Sequence, residues 1–193
     1  MKRYRTILAV GAASLVCVAA LVLVSSVSAG EAVKSGPQIG ENVPGPFHPL
    51  NINGASAGQK NCLYCQNGTN PVAMVFARSN TPELKALIKK LDACTAKNGE
   101  CKMGSFVVYL SDDEKLEAEL KELAKKEEFE KIILSIDNPS GPKSYKVAKD
   151  ADVTVVLYTD HTVKANHAFK KGDLKDKEIE KIVADVSKIL PEK

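Results

Sequence analysis

The stretch NCLYCQNGTNP, residues 61–71, holds a C-x-x-C pair, Cys62 and Cys65. Two thiols at this spacing can close a small disulfide ring and exchange it with partner thiols. They can also act as a simple staple, or supply half of a tetrahedral thiolate site. Two further cysteines, Cys94 and Cys101, lie downstream, and Cys17 lies near the amino terminus. Gln66 rather than His follows Cys65, which excludes covalent haem attachment. The three histidines offer less. His48 precedes Pro49 in a loop and reads as exposed. His161 reads as the tip of a turn. His167 alternates onto one strand face with Val163, Ala165 and Phe169, so it reads as a satisfied, half-buried histidine. No Ser–His–Asp order, phosphate-binding glycine loop or pair of catalytic carboxylates stands out.

The leader sets the chemical compartment. A basic start, MKRYR, precedes the 18-residue apolar run Ile7 to Val24, and Val27 and Ala29 are small residues at signal-peptidase spacing. Residues 1–29 therefore read as a secretory signal peptide, with an uncleaved anchor as the alternative. Cys17 leaves with the leader. The even count that remains, in an exported chain, favours disulfides. The formal charge of +3 comes from Lys2, Arg3 and Arg5 in a leader without acids, so the remainder is neutral. A neutral chain carries no basic signature for nucleic acid, nor for a membrane surface once the leader is cut.

The elements that must position the cysteines can be read from periodicity. Residues 30–60 are rich in Gly, Pro, Asn and Ser and read as extended chain with little core of its own. PVAMVFAR reads as a buried strand. Thr81 is a good N-cap and Pro82 suits the first helical position. Leu84, Leu87, Ile88, Leu91 and Cys94 make one apolar stripe, which Asn98-Gly99 ends. GSFVVYL is a second strand. Ser111 with Glu114 predicts a capping box for a helix that turns Leu116, Leu120 and Leu123 inward. KIILSID is a third strand. VTVVLYT and TVKANHAF form a hairpin around Asp160-His161. A last helix from about Lys175 to Leu190 buries Ile179, Ile182, Val183, Val186 and Ile189. Strands alternating with helices predict a parallel core sheet covered on both faces, made mixed by the hairpin.

This order resembles the thioredoxin superfamily, and within it the redoxin branch of peroxiredoxins and periplasmic thioredoxin-like proteins. The resemblance covers roughly Ile39 to Leu190. IGENVPGPF is similar to the redoxin opening, NPVAMVFARSNTPEL to the strand that leads into the active site, and DVTVVLYTDHTVKANHAF to the final hairpin. It implies an α/β thioredoxin-like three-layer sandwich: a mixed sheet with a terminal β-hairpin and C-terminal helix. The domains expected are a signal peptide over 1–29, a Gly/Pro-rich segment over 30–60 and a thioredoxin-like domain over 61–193. The usual active site is absent. The thioredoxin C-x-x-C position reads Arg78-Ser79-Asn80-Thr81. The peroxiredoxin Thr-Pro-x-Cys reads Thr81-Pro82-Glu83-Leu84. The place of the family's cis-proline reads Asp152-Val153-Thr154.

The cysteines have moved to the other end. Cys62 and Cys65 precede the first core strand. The helix from Pro82 spans roughly 24 Å at 1.5 Å per residue and returns the chain, with Cys94, to that strand's amino end. With the strand order the resemblance implies, all four cysteines gather at one edge of the sheet. Three uses remain open. Cys62–Cys65 and Cys94–Cys101 can be two structural disulfides. Cys62–Cys65 can be a redox pair that exchanges with a protein thiol partner. Or all four can bind a metal such as zinc. The expectation is an exported, periplasmic or secreted protein with a thiol–disulfide role at Cys62 and Cys65, a structural Cys94–Cys101 bridge, no cofactor and no peroxidase activity. A non-catalytic, partner-binding or structural module is the alternative.

Overall fold

A computed structural model describes residues 33–192. The expected leader, its expected cleavage site and Cys17 lie outside the described residues. Six strands form one sheet in the order β1-β4-β3-β2-β5-β6. They are β1 (Leu50–Asn51), β2 (Val72–Ala77), β3 (Gly104–Leu110), β4 (Ile133–Asp137), β5 (Val153–Thr159) and β6 (Thr162–Phe169). The helices are α1 (Leu63–Asn67), α2 (Pro82–Lys97), α3 (Leu116–Lys126) and α4 (Asp176–Asp185). No described helix is long and apolar enough to cross a membrane.

The central strands β2, β3 and β4 run parallel, and β5, β6 and β1 run antiparallel to their neighbours. Every residue of β2 is buried, as expected of a parallel strand covered on both faces. Its side chains divide strictly. Ala73, Val75 and Ala77 meet Leu84, Leu87, Ile88 and Leu91 of α2, Leu120 of α3 and Ile179 and Ile182 of α4. Val72, Met74 and Phe76 join the opposite core, with Phe106, Val108, Tyr145 and Tyr158. Two successive crossovers in one direction across the sheet place α2 and α3 on the same face, as right-handed connections require.

Among the described residues, the opposite face has no long helix. Its cover is the chain from 33 to 49, α1, and the connection from β4 to β5, which contains a 3-10 turn at Lys143–Tyr145. The Gly/Pro-rich segment thus lends side chains to the domain: Val43, Phe47 and Ile52 are all buried. Phe47 meets Tyr145 edge-on at 4.9 Å and lies 6.0 Å from Phe76. The Tyr145 hydroxyl donates to the Gly45 carbonyl at 2.6 Å, which ties the two covering segments together.

Three local expectations need correction. Ser111 does not cap α3. Its hydroxyl accepts from the Asp113 N–H, Asp113 accepts from the Lys115 N–H, and the helix begins without a side-chain cap at Lys115. The turn residues satisfy one another, so the helix starts later. In β6, Tyr158 pairs with Val163 but Leu157 pairs with Ala165, leaving Lys164 in a bulge. A one-residue bulge inverts the facing of the residues after it. Val163 therefore joins the opposite core from Ala165 and does not share the face of His167. The last helix ends as α at Asp185 and continues as a 3-10 turn, Val186–Ile189.

Candidate functional site

The edge where a thioredoxin-type site would stand has been turned to structure. Arg78 follows β2 and donates to three carbonyls: Nε to Ala151 at 3.1 Å, Nη1 to Pro139 at 2.6 Å and Nη2 to Ala148 at 3.3 Å. Ser79 donates to Asp152 Oδ2 at 2.6 Å. Thr81 caps α2 by accepting from the Leu84 N–H, and Leu84 itself is fully buried. A guanidinium with three carbonyl partners is satisfied, and a buried leucine offers no chemistry.

The C-x-x-C pair lies at the other end, where β2 begins. Cys62 and Cys65 are joined in a disulfide, with Cα atoms 5.2 Å apart. Sequence periodicity assigns no element here, and the structure adds the five-residue helix α1. Cys62 is its N-cap, and the Cys65 N–H donates to Cys62 Sγ at 3.0 Å. Asn61 prepares the turn: its Oδ1 accepts from the Cys62 N–H at 2.9 Å and its Nδ2 donates to Ser56 Oγ. At the other end Asn67 Nδ2 returns to the Leu63 carbonyl at 2.7 Å, and Gly68 closes the helix at φ +53°. Leu63, 2% exposed, anchors α1 in the core on the face opposite α2. The Asn67-Gly68 step was the readable signal for this helix end; nothing in the hydrophobic periodicity marks so short an element.

The two sulfurs are not equivalent. Cys62 is 6% exposed, whereas Cys65 is exposed. The buried member receives the amide hydrogen bond. A thiolate at Cys62 would be favoured by that bond, since hydrogen bonding to the charged form stabilises it.

Tyr64, inside the ring, faces the β5–β6 hairpin. Its ring lies 5.0 Å from that of His161. Asp160 and His161 both adopt left-handed backbone, φ +49° and +60°, which a two-residue hairpin turn demands and which these residue types tolerate. The hairpin tip is pinned to the cysteine loop, because the Asp160 N–H donates to the Thr69 carbonyl at 3.0 Å. His161 Nδ1 and the Tyr158 hydroxyl are buried without a hydrogen-bond partner. Burial, reinforced by Tyr64, pushes the Tyr158 phenol far above its ordinary value, so it stays protonated. His161 is therefore more than the turn tip expected of it. His48 is exposed in its loop.

Cys94 and Cys101 require a correction. Both are free thiols, so the expected bridge is absent. The reason is local. Asn98 ends α2 by giving its backbone N–H and its Nδ2 to the Cys94 carbonyl. The 3-10 turn Gly99–Cys101 comes next, and the Cys101 thiol donates to the Asn98 carbonyl at 3.1 Å. Its partner is an oxygen, not the other sulfur. Burial pushes the Cys94 thiol up, against the opposing charges of Lys97 and Lys90. Among the described residues, no group of three or more Cys, His, Asp or Glu side chains could hold a metal ion, so the four cysteines form no common thiolate shell.

His167 finds a partner that the sequence does not announce. Its Nε2 lies 3.0 Å from Asp185 Oδ2 on α4, and its ring stacks on Phe169.

Neither a protein-family model nor any curated protein matches the sequence. Solved structures do match in three dimensions. A secreted Mycobacterium tuberculosis disulfide oxidoreductase homologous to E. coli DsbE superimposes with a TM-score of 0.54 at 12% identity, over 73% of this chain and 94% of that one. The peroxidoxin BcpB from the same organism gives 0.57 at 14%, over 82% and 99%. An uncharacterized conserved protein from Geobacillus kaustophilus gives 0.61 at 16%, over 85% and 91%. Identities this low bear on architecture alone. The order of elements, the mixed sheet and these neighbours together show that the chain has the α/β thioredoxin-like fold of the redoxins.

Proposed function

We propose that this protein is an exported thiol–disulfide oxidoreductase whose redox couple is Cys62–Cys65. The observation that carries the reading is the disulfide itself. It is a C-x-x-C ring at a helix start, with one exposed residue, Cys65, and one sulfur, Cys62 Sγ, that accepts a backbone N–H. An exchange centre needs a sulfur that a partner can reach and a leaving sulfur whose thiolate is stabilised. Structural neighbours that are disulfide oxidoreductases support the class of chemistry. The signal-like leader, residues 1–29, supports an oxidising compartment outside the cytoplasm. Partners would be protein thiols and disulfides.

The test is equilibration of the purified protein in glutathione buffers, with acid quenching and mass mapping. The Cys62–Cys65 couple is expected to titrate within the range of known exchange proteins, about −120 to −270 mV. A double Cys62→Ser/Cys65→Ser variant should lose all catalysis of disulfide formation in a reduced, unfolded client. A pair that resists reduction below about −300 mV would instead be a staple, in a non-catalytic module that binds or supports a partner. The near-burial of Cys62 is the observation that favours that second reading.

A further inference from the structure

The exposure of the two cysteines points to the order of the exchange. We propose that Cys65, the second cysteine of the ring, is the sulfur that forms the mixed disulfide, and that Cys62 is the buried leaving and resolving thiol. The inference rests on the exchange role proposed for this pair and deepens it.

Three observations carry it. Cys65 is an exposed residue and is followed by exposed Gln66. Cys62 is 6% exposed, and its neighbour Leu63 is held in the core below the sheet. The Cys65 N–H already points at Cys62 Sγ from 3.0 Å, where it would stabilise negative charge on that sulfur and not on its own. A thiolate can attack only a sulfur it can reach, and the better-stabilised thiolate leaves faster. Access gives the direction, and the amide hydrogen bond on Cys62 Sγ acts the same way, opposed by the burial of that residue. The amino-terminal position in the ring is therefore the protected one, and the carboxy-terminal position meets the partner.

The step balances with a dithiol as the named reductant. A client thiolate attacks Cys65 Sγ. The Cys62–Cys65 bond breaks, a client–Cys65 disulfide forms, and the electron pair leaves on Cys62, whose sulfur keeps the amide hydrogen bond. A second client thiolate then attacks the client sulfur of the mixed disulfide. The client closes its own disulfide, and Cys65 departs as a thiolate. Protons released by the two client thiols end, by way of solvent, on Cys62 and Cys65. The client loses two electrons and the ring gains two. The reverse sequence reduces a client disulfide, with Cys65 as the attacking thiolate.

The test uses the oxidised full-length protein and reduced glutathione, a probe that leaves the free thiols Cys94 and Cys101 unchanged. Samples are quenched with acid after milliseconds to seconds, and the bound glutathione is located by peptide fragmentation. The adduct is expected on Cys65. In parallel, Cys62→Ser and Cys65→Ser variants are reduced and mixed with glutathione disulfide, and adducts are again mapped residue by residue. Cys65 in the first variant should react about tenfold or more faster than Cys62 in the second, because access and not thiolate fraction sets the rate. An adduct on Cys62, or equal or faster reaction of Cys62, overturns the proposed order and leaves the exchange reading standing. No adduct on either residue removes both. The wild-type arm needs no substitution, so it decides even if one variant misfolds.

Discussion

His167 is the residue whose protonation the fold opposes. Burial between β6 and α4 lowers its basicity. The hydrogen bond and charge of Asp185 act the other way and do not overcome it, while Lys181 and Lys188 add a little to the lowering. Asp185 would be raised by burial, yet Lys188 and His167 hold it below the ordinary carboxylate range, so it is charged wherever His167 titrates. The neutral imidazole therefore donates from Nε2 to a charged carboxylate. The unfolded chain binds the proton more readily, with a value near 6.5, than the folded one does. The stability this residue contributes is thus complete above about pH 6.5 and is lost as pH falls through the lower folded value. The melting temperature should hold from pH 8 to 7 and decline from about 6.5 towards 5. His167→Gln, which can keep the bond to Asp185, should flatten that decline. An equal slope in parent and variant, measured by calorimetry, would assign the acid limb to other groups. The sequence places His167 on a half-buried strand face, but it does not supply Asp185, eighteen residues away, because a contact between a strand and the last helix is made only by the fold.

At the scale of elements, the site depends on how α1 meets β3. Gly104 opens β3 opposite Val72, and a Cβ there would collide with Asn67 Oδ1. The same Asn67 closes α1 through the Leu63 carbonyl. Gly104→Ala should therefore displace the Asn67 side chain and loosen the helix that shields Cys62. Loss of one such hydrogen bond costs about 1–2 kcal/mol. At this chain length that is a fall of roughly 2–8 °C in melting temperature, taking 2–4 °C per kcal/mol. Alkylation of reduced Cys62 should accelerate in the same variant. Unchanged alkylation would separate the Gly104 contact from the site. The turn after α2 gives a second element-scale expectation. With the Cys101 thiol on the Asn98 carbonyl, denatured but unreduced protein should take an alkyl group on each of Cys94 and Cys101. No label there would restore the bridge that the sequence predicts, worth roughly 2–3 kcal/mol for its small loop. The elements legible at this scale obeyed period and caps: β2, α2 with its Thr81 cap, β3 and the hairpin. Those that were not legible were set by single hydrogen bonds or by length. Ser111 turned to Asp113 instead of capping α3, Lys164 bulged out of β6, and α1 is too short to show a period.

Over the whole molecule the sheet separates two cores, and the site belongs to only one of them. Leu63, beneath the ring, packs with Phe47, Phe76, Phe106 and Tyr145, whereas Leu87 and the other α2 side chains pack on the far side. A mixed sheet with a parallel centre could be read from the alternation of strands and helices; its strand order, with β1 beside β4, could not. The cover of the opposite face could not, because residues 33–49 and 138–152 have no period and are held by aromatic contacts and by the bond from Tyr145 to Gly45. This asymmetry predicts that the two cores are unequal in their hold on the cysteines. Phe47→Ala and Leu87→Ala each remove a buried side chain and should cost about 3–5 and 2–5 kcal/mol respectively. Both variants should therefore melt well below the parent. Only Phe47→Ala removes part of the layer that also carries α1, so only it should speed the reaction of glutathione with the Cys62–Cys65 disulfide under native conditions. Leu87→Ala serves as the control for destabilisation alone. If the two variants exchange at the same rate once matched for stability, the ring responds to global opening. If Phe47→Ala alone is faster, the strap that runs under the sheet governs access to the Cys62–Cys65 pair.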